Sequence, residues 1–158
     1  MTEMLRRAVL SLDGRYRYRL DRVWDEQGRN VLFVMLNPST ADAEQDDPTL
    51  RRCLRFAQDW GCGSLTVANL YAYRATLPAD LKRAADPVGP ECDHHLERCA
   101  REASLIVAAW GVHGESGRAQ QVRRVLGPEA TALAWTKAGQ PRHPLYLRAD
   151  SAPQSWAL

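Results

Sequence analysis

The sequence predicts a three-layer α/β/α fold: a central, mostly parallel four-stranded sheet, preceded by an N-terminal β-hairpin strand. Three observations carry this. VLFVML (31–36), SLTVAN (64–69) and SLIVAAW (104–110) are apolar on both faces, as strands buried between two layers must be. Segments with helical spacing of apolar residues alternate with them. A fourth short apolar run, TALAWT (131–136), follows the last helical segment.

The elements follow in order. RYRYRLDRVW (15–24) alternates, with Tyr16, Tyr18 and Leu20 on one side and arginines on the other, which predicts a strand with one wet face. DEQGRN (25–30) supplies a turn, so this strand and VLFVMLN read as a hairpin. Asp47 and Pro48 form a helix start, as N-cap and first helical residue. Leu50, Cys53, Leu54, Ala57 and Trp60 then recur at helical spacing, until Gly61 or Gly63 ends the helix. The second buried strand ends near Asn69. Residues 76–90 read as a long loop with one turn of helix, and 91–103 as a helix. The third buried strand stops at Gly111, RAQQVRRVLG (118–127) is a helix, and AGQPRHPLYL (138–147) is a loop entering an ordered tail.

The 158 residues suit one domain spanning 1–158, with 45% hydrophobic and 25% charged residues. No run reaches the ~20 apolar residues of a membrane span, and the N-terminus has no signal-peptide pattern. Four cysteines (Cys53, Cys62, Cys92, Cys99) in a chain this long suggest free thiols and a cytoplasmic setting. The net charge of +2 permits a nucleic-acid partner without demanding one. Cys92, His95 and Cys99 share a helix face, but without paired metal-ligand spacing they read as a buried face, and no resident metal is expected. GVHGESG (111–117) is a weak anion-site candidate lacking the Lys-Ser/Thr of a P-loop, with His113 as a loop residue.

Parallel sheets bind ligands beyond the carboxyl ends of their strands. Those ends are Asn37-Pro38, Asn69, Trp110-Gly111 and the loop through His143. Singly, each has a structural reading as a turn or strand end. Together, a strand ending in N-P, a strand ending in NLYAYRAT (69–76), a strand ending in W-G and a late HPLYL (143–147) resemble the layout of the uracil-DNA glycosylase superfamily. That resemblance implies hydrolysis of the N-glycosidic bond of a flipped, possibly modified base. It implies Asn37 as the residue that orients the attacking water, and His143 as the donor to the departing base. Asn69 would read the pyrimidine edge. Pro38, Tyr71, Trp110 and Gly111 would complete the substrate pocket, although Tyr71, Trp60 and Trp110 fit a core equally well. Leu145 or Tyr146 would fill the vacated base stack, and Lys137 and Arg142 would hold flanking phosphates.

The chain departs from that pattern at several places. Met35 stands where the superfamily's first motif opens with Gly, and Leu145 where Ser follows His-Pro. Tyr73 takes the place of an iron–sulfur ligand, so no cluster is expected. As a whole the chain is still more similar to a bacterial and phage family of unknown function, through LNPSTAD (36–42), DDPT (46–49), NLYAYRAT and GQPRHPLYL (139–147). Two further readings stand beside the glycosylase. Asp42, Glu44, Asp46 and Asp47 could hold Mg2+ for a nucleotide hydrolase or transferase. The pocket could also bind a nucleotide or DNA without turnover.

Overall fold

Leu32, Phe33 and Val34 are fully buried because the strand carrying them has neighbours on both edges and helices on both faces. The computed structural model describes residues 3–114 and 116–156. Among these the strands are β1 (Leu5–Leu10), β2 (Arg17–Val23), β3 (Asn30–Met35), β4 (Ser64–Asn69), β5 (Leu105–Ala108), β6 (Thr131–Ala132) and β7 (Gln154–Ser155). The helices are α1 (Pro48–Asp59), α2 (Pro78–Arg83), α3 (Cys92–Glu102) and α4 (Ser116–Leu126), with a 3-10 turn at Pro144–Tyr146.

The sheet is not the four-stranded, mostly parallel sheet expected. It has seven described strands in the order β1-β2-β4-β3-β5-β6-β7 and is mixed. β4, β3, β5 and β6 run parallel, while β1, β2 and β7 add antiparallel pairings at the flanks. The expected hairpin between β2 and β3 is likewise absent. β3 has both edges occupied, by β4 and β5, so β2 takes the remaining edge of β4 and pairs with β1 on its other side. The turn between β2 and β3 crosses close to the start of β4. A Cβ on Gly63 would lie 2.2 Å from the Asp25 carbonyl oxygen, so only glycine fits there.

Alternate residues of β3 serve opposite faces, as strand geometry dictates. Val31, Phe33 and Met35 pack with Leu50, Cys53 and Phe56 of α1. Leu32 and Val34 pack with Leu96 and Cys99 of α3 and Val122 of α4. Asp47 caps α1 as expected, its Oδ1 accepting the Leu50 N–H at 2.8 Å with Pro48 in the first turn. No helix among the described residues is long and apolar enough to cross a membrane.

Candidate functional site

β3 and β4 are parallel and in register, so their carboxyl ends emerge side by side, with Met35 opposite Asn69. The ladder continues past both strands, the Leu70 N–H donating to Met35 O and the Tyr71 N–H to Leu36 O. Asn37 therefore leaves the sheet beside the residue that ends its neighbour. β5 ends on the other side of β3, and the Ala109 N–H still donates to Val34 O. A cavity of about 400 Å³ opens at this edge, lined by residues from all three strand ends, the start of α1 and the loop through His143.

Of the residues the sequence nominated, Asn37, Pro38, Asn69, Trp110, Gly111, Arg142, His143 and Tyr146 line this cavity. Tyr71, Lys137 and Leu145 are not in its lining. Tyr71 leans on the core cluster shared by α3 and α4, because the chain turns away from the cavity after Asn69. Lys137 is exposed in the turn between Thr136 and Gln140, whose backbones bond across it. Leu145 lies exposed on the 3-10 turn, next to Tyr146 at the cavity rim. Trp110 is 1% exposed and donates through Nε1 to Gln140 at 2.7 Å, so it is as much core as lining. Gly114, from the glycine-rich loop, sits against its ring: a Cβ there would meet the indole at 2.2 Å. Glu115 of that loop lies outside the described residues.

Asn37 spends its whole NH2 group on the backbone, donating to Ala75 O at 2.7 Å and Pro38 O at 3.0 Å. Those bonds leave Oδ1 as its uncommitted polar atom, an acceptor only. Asn69 is 3% exposed, and its Oδ1 accepts from Nη2 of Arg17 at 3.4 Å. Its Nδ2 has no partner among the described residues.

Arg17, which also lines the cavity, was not nominated by the sequence because simple alternation puts it on the wet face. A β-bulge reverses that. Leu10 pairs with Arg17 and Val9 with Arg19, leaving Tyr18 as the extra residue. The parity of β2 switches there, so Tyr18 packs on the α3 side while Leu20 packs on the α1 side. Arg17 is 4% exposed, donates through Nη1 to Ala41 O at 2.9 Å, and leaves Nε unpartnered. Burial pulls the pKa of this guanidinium down to about 10, opposed by the nearby Asp47 carboxylate, so it stays charged at neutral pH.

His143 is fixed from two sides. Its Nδ1 accepts the Leu145 N–H at 3.2 Å, capping the 3-10 turn. Gly111, at a φ of +79°, lets the chain after β5 donate to Pro141 O at 2.7 Å and brings it against the His143 Cβ. Burial holds the His143 pKa below its ordinary value, with Asp47 pulling the other way. The imidazole is thus neutral near pH 7, with Nδ1 as acceptor and its proton on Nε2. Arg52 of α1, also missed in the sequence, braces this turn by donating to Leu147 O and, at 3.4 Å, to Pro144 O.

The acidic run has internal partners. The Asp42 carboxylate accepts the N–H groups of Glu44 and Gln45, which lower its pKa. Asp46 pairs with Arg22, a guanidinium with no exposed surface, at 2.9 Å, and with Arg6 at 3.2 Å. Asp47 caps α1 and lines the cavity, its Oδ2 accepting from Ser39 at 3.4 Å. Among the described residues no group of three or more His, Cys, Asp or Glu is placed to hold a metal ion. Burial pushes the thiols of Cys92 and Cys99 up to about 11 and about 12, so this helix face is protonated core.

Fold and site together define a mixed α/β protein whose cavity opens at the carboxyl ends of parallel strands. The chain belongs to the family described as "Protein of unknown function (DUF1643)", whose model matches residues 17–145. No match was found to a curated protein or to a solved structure.

Proposed function

We propose that this protein hydrolyses the N-glycosidic bond of a nucleobase flipped out of DNA, in the manner of uracil-DNA glycosylases. The observation that carries the reading is that Asn37, Asn69 and His143, drawn from three distant parts of the chain, line one cavity. The parallel order β4-β3-β5-β6 and the cavity's place at the strand ends also support it.

In the proposed reaction the C1′–N bond breaks and its electron pair leaves on the base, while a water oxygen bonds to C1′. The proton lost by that water ends on a ring nitrogen of the base. Negative charge grows on the base as the bond breaks, and a neutral imidazole with Nε2–H can donate to it. Asn37, its NH2 already bonded, can accept a hydrogen bond from the water through Oδ1. An amide has no useful basicity, so turnover is expected to be slow. Arg142 at the rim would meet a phosphate, and the 74%-exposed Tyr146 beside Leu145 would occupy the gap left by the base.

The engagement of Asp42, Asp46 and Asp47 in turns, ion pairs and a helix cap favours this reading over a Mg2+-dependent hydrolase. The test is a panel of oligonucleotides bearing uracil, hypoxanthine and other modified bases, incubated with and without chelator. Abasic sites formed equally in both arms are expected. Retardation of the oligonucleotide without product would reduce the protein to a binder, and activity lost in chelator would replace the reading with the metal-dependent one.

A further inference from the structure

Arg17 and Asn69 meet in the cavity wall as two donors facing too few acceptors. A guanidinium carries only N–H groups, so the end of the Asn69 amide that meets Arg17 must be its oxygen. That settles which way the amide is turned and commits the other end, Nδ2, as a donor. Nδ2 has no acceptor among the described residues, and neither has Nε of Arg17. Both residues are more than nine-tenths buried and both line the cavity. Arg17 has no carboxylate within ion-pair distance among the described residues; its side-chain bonds go to Ala41 O and Asn69 Oδ1. A buried donor left unpaired is costly, and more so on a charged group. Elsewhere in the lining stand the acceptors Asn37 Oδ1 and the Asp47 carboxylate, neither of them bonded to these two donors.

We infer that Arg17 and Asn69 form a donor-only recess that selects a ring bearing an oxo group over the same ring bearing an amino group, with Arg17 as the residue that sets this preference. It rests on the proposed function only in taking the ligand to be a base. A carbonyl oxygen brought to this wall satisfies a donor that has no partner, whereas an exocyclic amino group brings another donor against it. Uracil and cytosine differ in this way at one ring position, as do hypoxanthine and adenine. The bulge at Tyr18 is what makes the recess, because without it Arg17 would point to the opposite face.

The experiment measures binding of the free bases to the full chain by ligand- and protein-observed NMR, so it needs no turnover. Uracil is expected to bind at least about tenfold more tightly than cytosine, the size of discrimination that an unmatched polar contact provides. The 15N-labelled side-chain signals of Asn69 Nδ2 and Arg17 Nε should shift with uracil and stay in place with cytosine. Arg17→Met, checked for folding by its thermal midpoint, should bring the two affinities together, and Arg17→Lys should restore part of the difference. Equal binding of both bases by the wild type, or neither base binding, overturns the inference. So does an unchanged preference in folded Arg17→Met. If the substituted chain does not fold, the wild-type side-chain shifts decide alone. Oligonucleotides left uncleaved would defeat the glycosylase reading while leaving this base preference standing.

Discussion

The backbone N–H of Leu145 donates to Nδ1 of His143 across 3.2 Å, and this bond determines which ring nitrogen keeps the proton. Protonating the ring would place a hydrogen on Nδ1 and set two donors against each other. The local geometry therefore opposes the imidazolium independently of burial, which lowers the pKa in the same direction.

Acid should weaken both fold and activity. A histidine whose folded pKa lies below its unfolded value of about 6.5 stabilises the fold fully above 6.5, and that contribution shrinks as pH falls towards the folded pKa. His95 of α3, pushed down mainly by burial and with its ring stacked on Tyr18, acts with the same sign. Chemical denaturation at pH 7.5 and 5.5 should show lower stability at the lower pH, with a smaller difference in His143→Gln. Base release should fall over the same range as Nδ1 gains its proton.

In the proposed reaction Asn37 orients the water, so Asn37→Ala should slow base release by about a hundredfold or more. Asn37→Asp is the sharper comparison. The new carboxylate would be the better base, yet it would face the Pro38 and Ala75 carbonyls that the native NH2 group satisfies. A stability loss of about 1–3 kcal/mol is expected, read from urea midpoints. A stable Asn37→Asp protein would contradict the assigned orientation of the native amide.

Asp46→Ala should be a folding defect, since it strips the carboxylate from the fully buried Arg22 and from Arg6. A loss of about 3 kcal/mol is expected by analogy with broken buried pairs, while chelator should leave wild-type stability unmoved. A fully stable Asp46→Ala chain that has lost an activity the wild type shows only with metal would revive the acidic loop as a cation site.

Arg52→Ala should act on His143 from a distance. Without the donors to Pro144 O and Leu147 O the 3-10 turn loosens. A small displacement of a reacting group costs on the order of ten- to a hundredfold in rate, so base release should slow by that amount. The accompanying change in the ring 15N shifts of His143 distinguishes mispositioning from general unfolding.

The asparagines, the imidazole and the strands that deliver them were legible because their signals are local. β3, β4 and β5 announce themselves as two-sided apolar runs, and the Asp47-Pro48 start of α1 is written in adjacent residues. The position of β2 was not legible, because strands next to each other in sequence read as a hairpin, whereas the competition for the edges of β3 is decided by β4 and β5, which begin 34 and 75 residues after β3 begins. Arg17 was hidden for a related reason. Its burial depends on a mismatch against β1, a strand whose exposed and half-exposed residues LRRAVL give little apolar pattern. Arg22 and Arg52 act on backbone carbonyls that no residue spacing reveals.

The extra residue at Tyr18 makes the interior chemistry of this protein sensitive to length rather than identity at its outermost hairpin. Inserting one residue in β1 between Val9 and Leu10 would give Tyr18 a partner and restore ordinary pleating, exchanging which neighbour looks inward and trading a cation for a phenol without touching the asparagines. Related chains could thus acquire a different appetite for ligands through a single added codon in β1, a change that comparison of the asparagine and histidine motifs alone would overlook.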